Sequence, residues 1–153
     1  MKNKIIFLIS VFTFFLSKDA NCCYCVPGTM SDSFKNSNLI IIGTVLSVRD
    51  ESPKRELNFY KIYTVQIEKL YKGHYRRKTV EIVSGAGDED CGFYFKHGEK
   101  YIIFARIFIG SSSKISFPNK SFFTDECTRT KKYNEKEVEE IKKYKRKHLF
   151  WWI

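Results

Sequence analysis

The sequence predicts a mainly β fold, a small closed barrel followed by one C-terminal helix. Five or six apolar runs of strand length are separated by turn residues, the pattern of a small barrel. Hydrophobic residues make up 43% and aromatic residues 16% of the chain, enough for one core in one domain. Helical spacing is confined to a short stretch, Asp32–Ser37, and to the C-terminal end.

Ahead of the strands, Lys2 and Lys4 precede an almost unbroken apolar run from Ile5 to Leu16. At about a dozen residues this run is too short to span a bilayer, which takes roughly 20. It fits the apolar centre of an export signal. Residues 1–22 are read as a signal peptide, with Ala20 and Cys22 at the small-residue positions and the mature chain starting at Cys23. Acylation of Cys22 or Cys23 as a lipid anchor is the alternative. Such signals carry an aliphatic residue three positions before the cysteine, where this chain has Asp19 or Ala20. The expected location is secreted, extracellular or periplasmic.

The elements follow in order. Asp32–Ser37 reads as one or two helical turns around Phe34. Leu39–Val48 is dense in β-branched residues and reads as a central strand, with Gly43 as a bulge or bend. Ser52-Pro53-Lys54-Arg55 marks a turn. Phe59–Tyr71 alternates with both faces partly apolar, as in a long curved strand. Thr79–Ser84 is a shorter strand followed by a Gly85-Ala86-Gly87 loop, and Tyr101–Ile109 is another apolar run ended by Gly110 and three serines. Ile115–Phe117 and Phe122–Thr124 are short strand candidates. Asn134 with Glu137 three residues later forms a capping box, and Val138, Ile141 and Tyr144 then follow at helical spacing. Glu and Lys fill the other face, acidic residues first and basic ones later, which suits the helix dipole. Neither an internal repeat nor a second domain is evident, so residues 23–130 read as the barrel domain and residues 131–153 as its helix and tail.

The chain carries a net charge of +10, of which about +8 remains once Lys2, Lys4, Lys18 and Asp19 are removed with the leader. This balance suits anionic surfaces and polysaccharides; for an exported chain, no nucleic acid partner is expected. Most of the charge is spread thinly, as on a solvated face. The exception is Lys142–His148, which runs into Leu149-Phe150-Trp151-Trp152-Ile153. That tail suits a membrane surface or polyanion, or its aromatics pack back on the barrel. His74, His97 and His148 are scattered, and neither a His-Glu-x-x-His motif nor a nucleophile arrangement is present. The expectation is a monomeric protein that is not an enzyme and carries no cofactor of its own.

Export also decides the use of cysteine, because disulfides persist in oxidising compartments. Cys23, Cys25, Cys91 and Cys127 allow three pairings. A Cys23–Cys25 bond would close a strained ring, and the two other pairings each tie the N-terminal segment to two distant points. Four thiolates on a structural zinc would come as two close pairs, whereas Cys91 and Cys127 stand alone. A mature chain that starts with a tethered Cys-x-Cys presents an amine and a carbonyl to a metal ion.

Cys23-Tyr24-Cys25-Val26-Pro27 followed by Ser33-Phe34-Lys35-Asn36-Ser37-Asn38-Leu39-Ile40 is similar to the start of the tissue inhibitors of metalloproteinases. Tyr71-Lys72-Gly73, Cys91-Gly92-Phe93 and Thr124-Asp125-Glu126-Cys127 resemble further landmarks of that family, in the same order. The resemblance spans about Cys23 to Thr130. It implies a netrin-like barrel of OB-fold type and the disulfides Cys23–Cys91 and Cys25–Cys127. It also implies a zinc metalloprotease as partner. The Cys23 amine and carbonyl would chelate the protease zinc and Tyr24 would enter the specificity pocket. Cys25, Val26, Pro27 and Asp90 would also touch the enzyme. The chain departs from the family at Lys35, where a third cysteine is usual, at the acidic Asp88-Glu89-Asp90, and at Tyr24, which is bulkier than the usual Thr or Ser. The sequence shows no sign of the smaller cysteine-rich C-terminal domain of animal members and looks like the simpler bacterial ones. The alternative function is a non-inhibitory netrin-like module for a polyanion or cell-surface partner.

Overall fold

The structure, a computed structural model, describes residues 23, 25–26, 28–51, 60–85, 91–107 and 121–148. Strand β1 (Leu39–Glu51) pairs antiparallel with β2 (Tyr60–Lys72) along one edge and with β4 (Lys100–Ile107) along the other. β2 continues antiparallel to β3 (Thr79–Gly85), β3 pairs in parallel with the two-residue β5 (Phe122–Phe123), and β5 returns to β4. The order β1-β2-β3-β5-β4 therefore closes on β1 as a ring of five strands. β6 (Lys131–Lys132) pairs with β4 at Tyr101 and Ile102, on the edge that β5 occupies further along.

The unbroken apolar run of β1 follows from its position. Successive side chains of a strand point to opposite faces, and here both faces are covered. Leu39, Ile41 and Val45 turn into the ring, against Tyr63, Val65, Ile82 and Ile103. Ile40 and Ile42 turn outward, against Ile102, Phe104 and the two helices. Each fully buried aliphatic or aromatic side chain contributes about 1.5–3 kcal/mol. Gly43 interrupts the run where the β1–β2 register shifts. A Cβ there would lie 2.5 Å from the Gln66 carbonyl oxygen, so only glycine lets β2 cross so closely.

Helix α1 (Met30–Asn36) begins two residues before the predicted start. Its N-cap is Thr29, whose hydroxyl accepts from the Asp32 N–H while the Asp32 carboxylate accepts from the Thr29 N–H at 3.1 Å. The Thr29 hydroxyl also donates to Asp32 Oδ2 at 2.6 Å, and this bond, with that from the Thr29 N–H, holds the Asp32 carboxyl below its ordinary value. Helix α2 (Glu135–His148) buries Val138 and Ile141 as its spacing predicts. Its expected capping box is only half made. The Glu137 N–H donates to Asn134 Oδ1 at 2.8 Å, but the Glu137 carboxylate turns to Arg129 and Lys131 instead. Glu137 is thus buried, not on the solvent face. Phe34 of α1 meets Tyr144 of α2 with ring centroids 4.7 Å apart.

β6 is a strand the sequence does not predict, and the remaining differences are at boundaries. Gly85 belongs to β3, not to the following loop, and β1 runs on to Glu51. The strand candidate Ile115–Phe117, the signal peptide and the tail Leu149–Ile153 lie outside the described residues.

Candidate functional site

The site begins with the backbone at Cys91. Its φ of 56° is in the left-handed region, which brings the next residue hard against the end of β3. A Cβ on Gly92 would lie 2.3 Å from the Gly85 carbonyl oxygen, a contact only glycine avoids. Gly92 forms an antiparallel bridge with Asp125, and the Glu126 N–H donates to the Cys91 carbonyl at 2.9 Å. The Phe93 N–H donates to Ser84 Oγ at 2.7 Å and the Thr124 N–H to the Val83 carbonyl at 3.0 Å. Two segments distant in sequence, each carrying a cysteine, thus lie side by side on β3.

Hydroxyls fix the second segment. Buried Thr124 donates to the Phe104 carbonyl of β4, and its Oγ1 lies 2.7 Å from Thr130 Oγ1 and 2.8 Å from Thr128 Oγ1. The Phe104 N–H donates to Thr130 Oγ1 at 2.9 Å. Asp125 Oδ1 accepts from the Thr128 N–H, and Oδ2 pairs with Arg106 at 2.7 Å.

Both segments are bonded to the N-terminal end of the described chain. Cys23 is joined to Cys91 with Cα atoms 5.6 Å apart, and Cys25 to Cys127 with Cα atoms 4.9 Å apart. Beyond them Val26 stands 75% exposed, the most exposed large apolar side chain among the described residues. A cleft of about 200 Å³ separates the Val26–Gly28 region and α1 from Arg106, Asp125 and Arg129.

Arg129 links this edge to α2. Its guanidinium donates to Glu137, reaches Glu140 at 2.7 Å and lies 3.5 Å from the Gly28 carbonyl. Lys131 adds a contact to Glu137 at 2.9 Å. Burial works to raise the Glu137 carboxyl, but the hydrogen bonds and charges of Arg129 and Lys131 outweigh it and leave it below its ordinary value.

Of the residues the sequence singles out, Cys23, Cys25 and Val26 are brought together on this edge, with the disulfides that the resemblance implies. Tyr24, Pro27 and the acidic Asp88-Glu89-Asp90 lie outside the described residues. Sequence reasoning missed Arg106, Asp125, Arg129 and Glu137 as supports. Nothing local in the sequence marks Arg129 as the partner of a buried glutamate. Among the described residues no three His, Cys, Asp or Glu side chains gather as a metal site, and no helix is long and apolar enough to cross a membrane.

This geometry defines a disulfide-stapled β domain that presents its N-terminal edge outward. A family model described as tissue inhibitor of metalloproteinase matches residues 21–133, and the chain belongs to that family. Its members are secreted inhibitors, not enzymes, which suggests metalloproteinase inhibition and metalloproteinase partners in general. A comparison with curated proteins gave no match.

Proposed function

We propose that the chain is a secreted metalloproteinase inhibitor that acts through its N-terminal edge. With residues 1–22 removed, the α-amine and carbonyl of Cys23 chelate the zinc of the target enzyme and displace its water. Tyr24 enters the specificity pocket. Val26 and Pro27 continue along the cleft, flanked by Cys25 and Asp90. The chain itself supplies no metal and no catalytic group, and it works as a monomer.

The observation that carries this reading is the double tether of Cys23 and Cys25 to two segments that are themselves bridged at Gly92–Asp125. A terminus fixed before binding loses little freedom on binding, which favours affinity. An α-amine titrates near about 8, so its neutral, metal-binding form is accessible near neutral pH. The amine nitrogen and carbonyl oxygen of one residue close a five-membered ring on a zinc with an open position.

The test has two steps. Intact-mass and N-terminal analysis of the secreted protein should return a free Cys23 amine, and this form should inhibit a zinc metalloproteinase. A single alanine added before Cys23 should abolish inhibition. A blocked or different natural terminus, or undiminished inhibition by the extended form, overturns the proposal.

A further inference from the structure

α1 separates two recesses. Ser33 and Ser37 line the cleft on the disulfide side, whereas Phe34 and Asn38 line a larger groove of about 330 Å³ on the other. The floor of this groove is aromatic, formed by Phe34, Tyr71 and Tyr144. Two lysines and two histidines form its rim. Lys72 and His74 come from the end of β2 and the loop after it, and Lys145 and His148 from the last turn of α2.

Each contributing segment is basic beyond the rim. Residues 69–78 contain Lys69, Lys72, Arg76, Arg77 and Lys78 without an acidic residue, and residues 142–148 contain five Lys or Arg, again without one. Arg76, Arg77, Lys145 and Lys147 are exposed. On α2, Glu139 pairs with Lys142, one of those five cations, and Glu140 turns away to Arg129. Directly after His148 the sequence reads Leu-Phe-Trp-Trp-Ile. Two basic segments far apart in sequence therefore meet around an apolar floor.

We propose that this face docks on an anionic phospholipid membrane. Basic clusters are drawn to anionic leaflets, and a floor with two tyrosines suits the boundary between headgroups and acyl chains. A soluble polysaccharide would use the charge but would leave the apolar floor without a partner. The face lies across α1 from the Cys23 edge, so docking leaves that edge accessible, and the inference does not depend on inhibition.

The test uses the full secreted chain with its disulfides intact, sedimented with vesicles of phosphatidylcholine alone or with about one third phosphatidylserine. Binding should require phosphatidylserine and weaken on the order of tenfold when salt rises from about 0.05 M to about 0.3 M. The pairs Arg76→Gln/Arg77→Gln and Lys145→Gln/Lys147→Gln should each weaken binding by about fivefold per charge. Far-UV dichroism and the thermal midpoint should stay unchanged in both. Trp151 and Trp152 are the only tryptophans of the chain, so tryptophan emission should shift to the blue on anionic vesicles. The proposal is overturned by no sedimentation with anionic vesicles, equal binding to neutral ones, folded variants that bind undiminished, or emission already blue in the free protein and unmoved by vesicles. Tighter binding to a sulfated polysaccharide than to vesicles would also overturn it.

Discussion

The two sides of α1 are held in different ways. On the Ser33 side, the N-terminal edge is tied by Cys23–Cys91 and Cys25–Cys127 while Val26 stays in solvent. On the Phe34 side, the helix is held by burial of Phe34 against Tyr144 and the outer core of Ile40, Ile42, Ile102 and Phe104. If that edge meets a partner as proposed, it cannot bury its own contact residues, and covalent bonds take the place of packing there. The difference predicts that the edge depends on redox state and the groove side on packing.

The largest expected effect comes from removing a tether. Cys25→Ser/Cys127→Ser opens a closure of 102 residues, and the chain-entropy estimate for a loop of that size is about 4–5 kcal/mol. Urea unfolding should show that loss, and inhibition should vanish at concentrations where the native protein saturates the enzyme. Survival of full inhibition would mean that packing alone holds the edge. Phe34→Ala breaks the other side. Phe34 is only 7% exposed, so truncation should cost about 3 kcal/mol. Inhibition per folded molecule should persist, because the tethers are untouched. A parallel loss of inhibition would dissolve the distinction between the two sides.

Glu137 joins the two sides through Arg129 and offers a graded test. Glu137→Gln keeps the shape but removes the charge facing Arg129 and Lys131. Both cations are partly solvated, so the expected cost is about 1–2 kcal/mol, below that of a fully buried pair. The native carboxyl lies below its ordinary value. Its contribution is therefore complete above the unfolded value near about 4.3 and is lost as pH falls through the lower folded value. Urea midpoints measured downward from pH 5 should drop more steeply for the native protein than for the variant. Equal slopes would remove Glu137 from the acid response.

Much of the ring was legible because its strands are written in side-chain type. Ile40 to Ile42 and Ile102 to Phe104 read as strand whether one face or both are buried. Gly43 was legible as a bend, since a glycine inside a β-branched run has few other uses. The lone cysteines Cys91 and Cys127 signalled tethers, but only the family resemblance chose their partners. What stayed hidden depends on tertiary contact. β6 is two lysines whose strand character comes only from pairing with Tyr101 and Ile102. Glu137 reads as a solvent-facing cap residue until Arg129 is folded over it. The groove rim joins residues 72–74 at the end of β2 to residues 145–148 of α2, and no local pattern links them.

The smallest expected effect is at Tyr63, inside the ring and remote from both sides of α1. Its ring lies 4.8 Å from that of Phe95 in an edge-on contact, and the residue is 1% exposed. Burial pushes its phenol up to about 12; the Phe95 backbone opposes the shift but lacks the geometry of a full hydrogen bond. Among the described residues the hydroxyl has no hydrogen-bond partner. Tyr63→Phe keeps the ring contact and deletes a polar atom that folding desolvates without return. The change should therefore be neutral or stabilising by up to about 1 kcal/mol near pH 7. The sign reverses the usual expectation for core truncation. It also sets a pH signature, because a phenol raised on folding favours the native state below about 10 and loses that advantage as pH climbs toward about 12. Urea midpoints of native protein and variant should diverge further between pH 9 and pH 11, in favour of the phenylalanine. A destabilised variant would show that the hydroxyl has a partner and that the ring interior is held by more than packing.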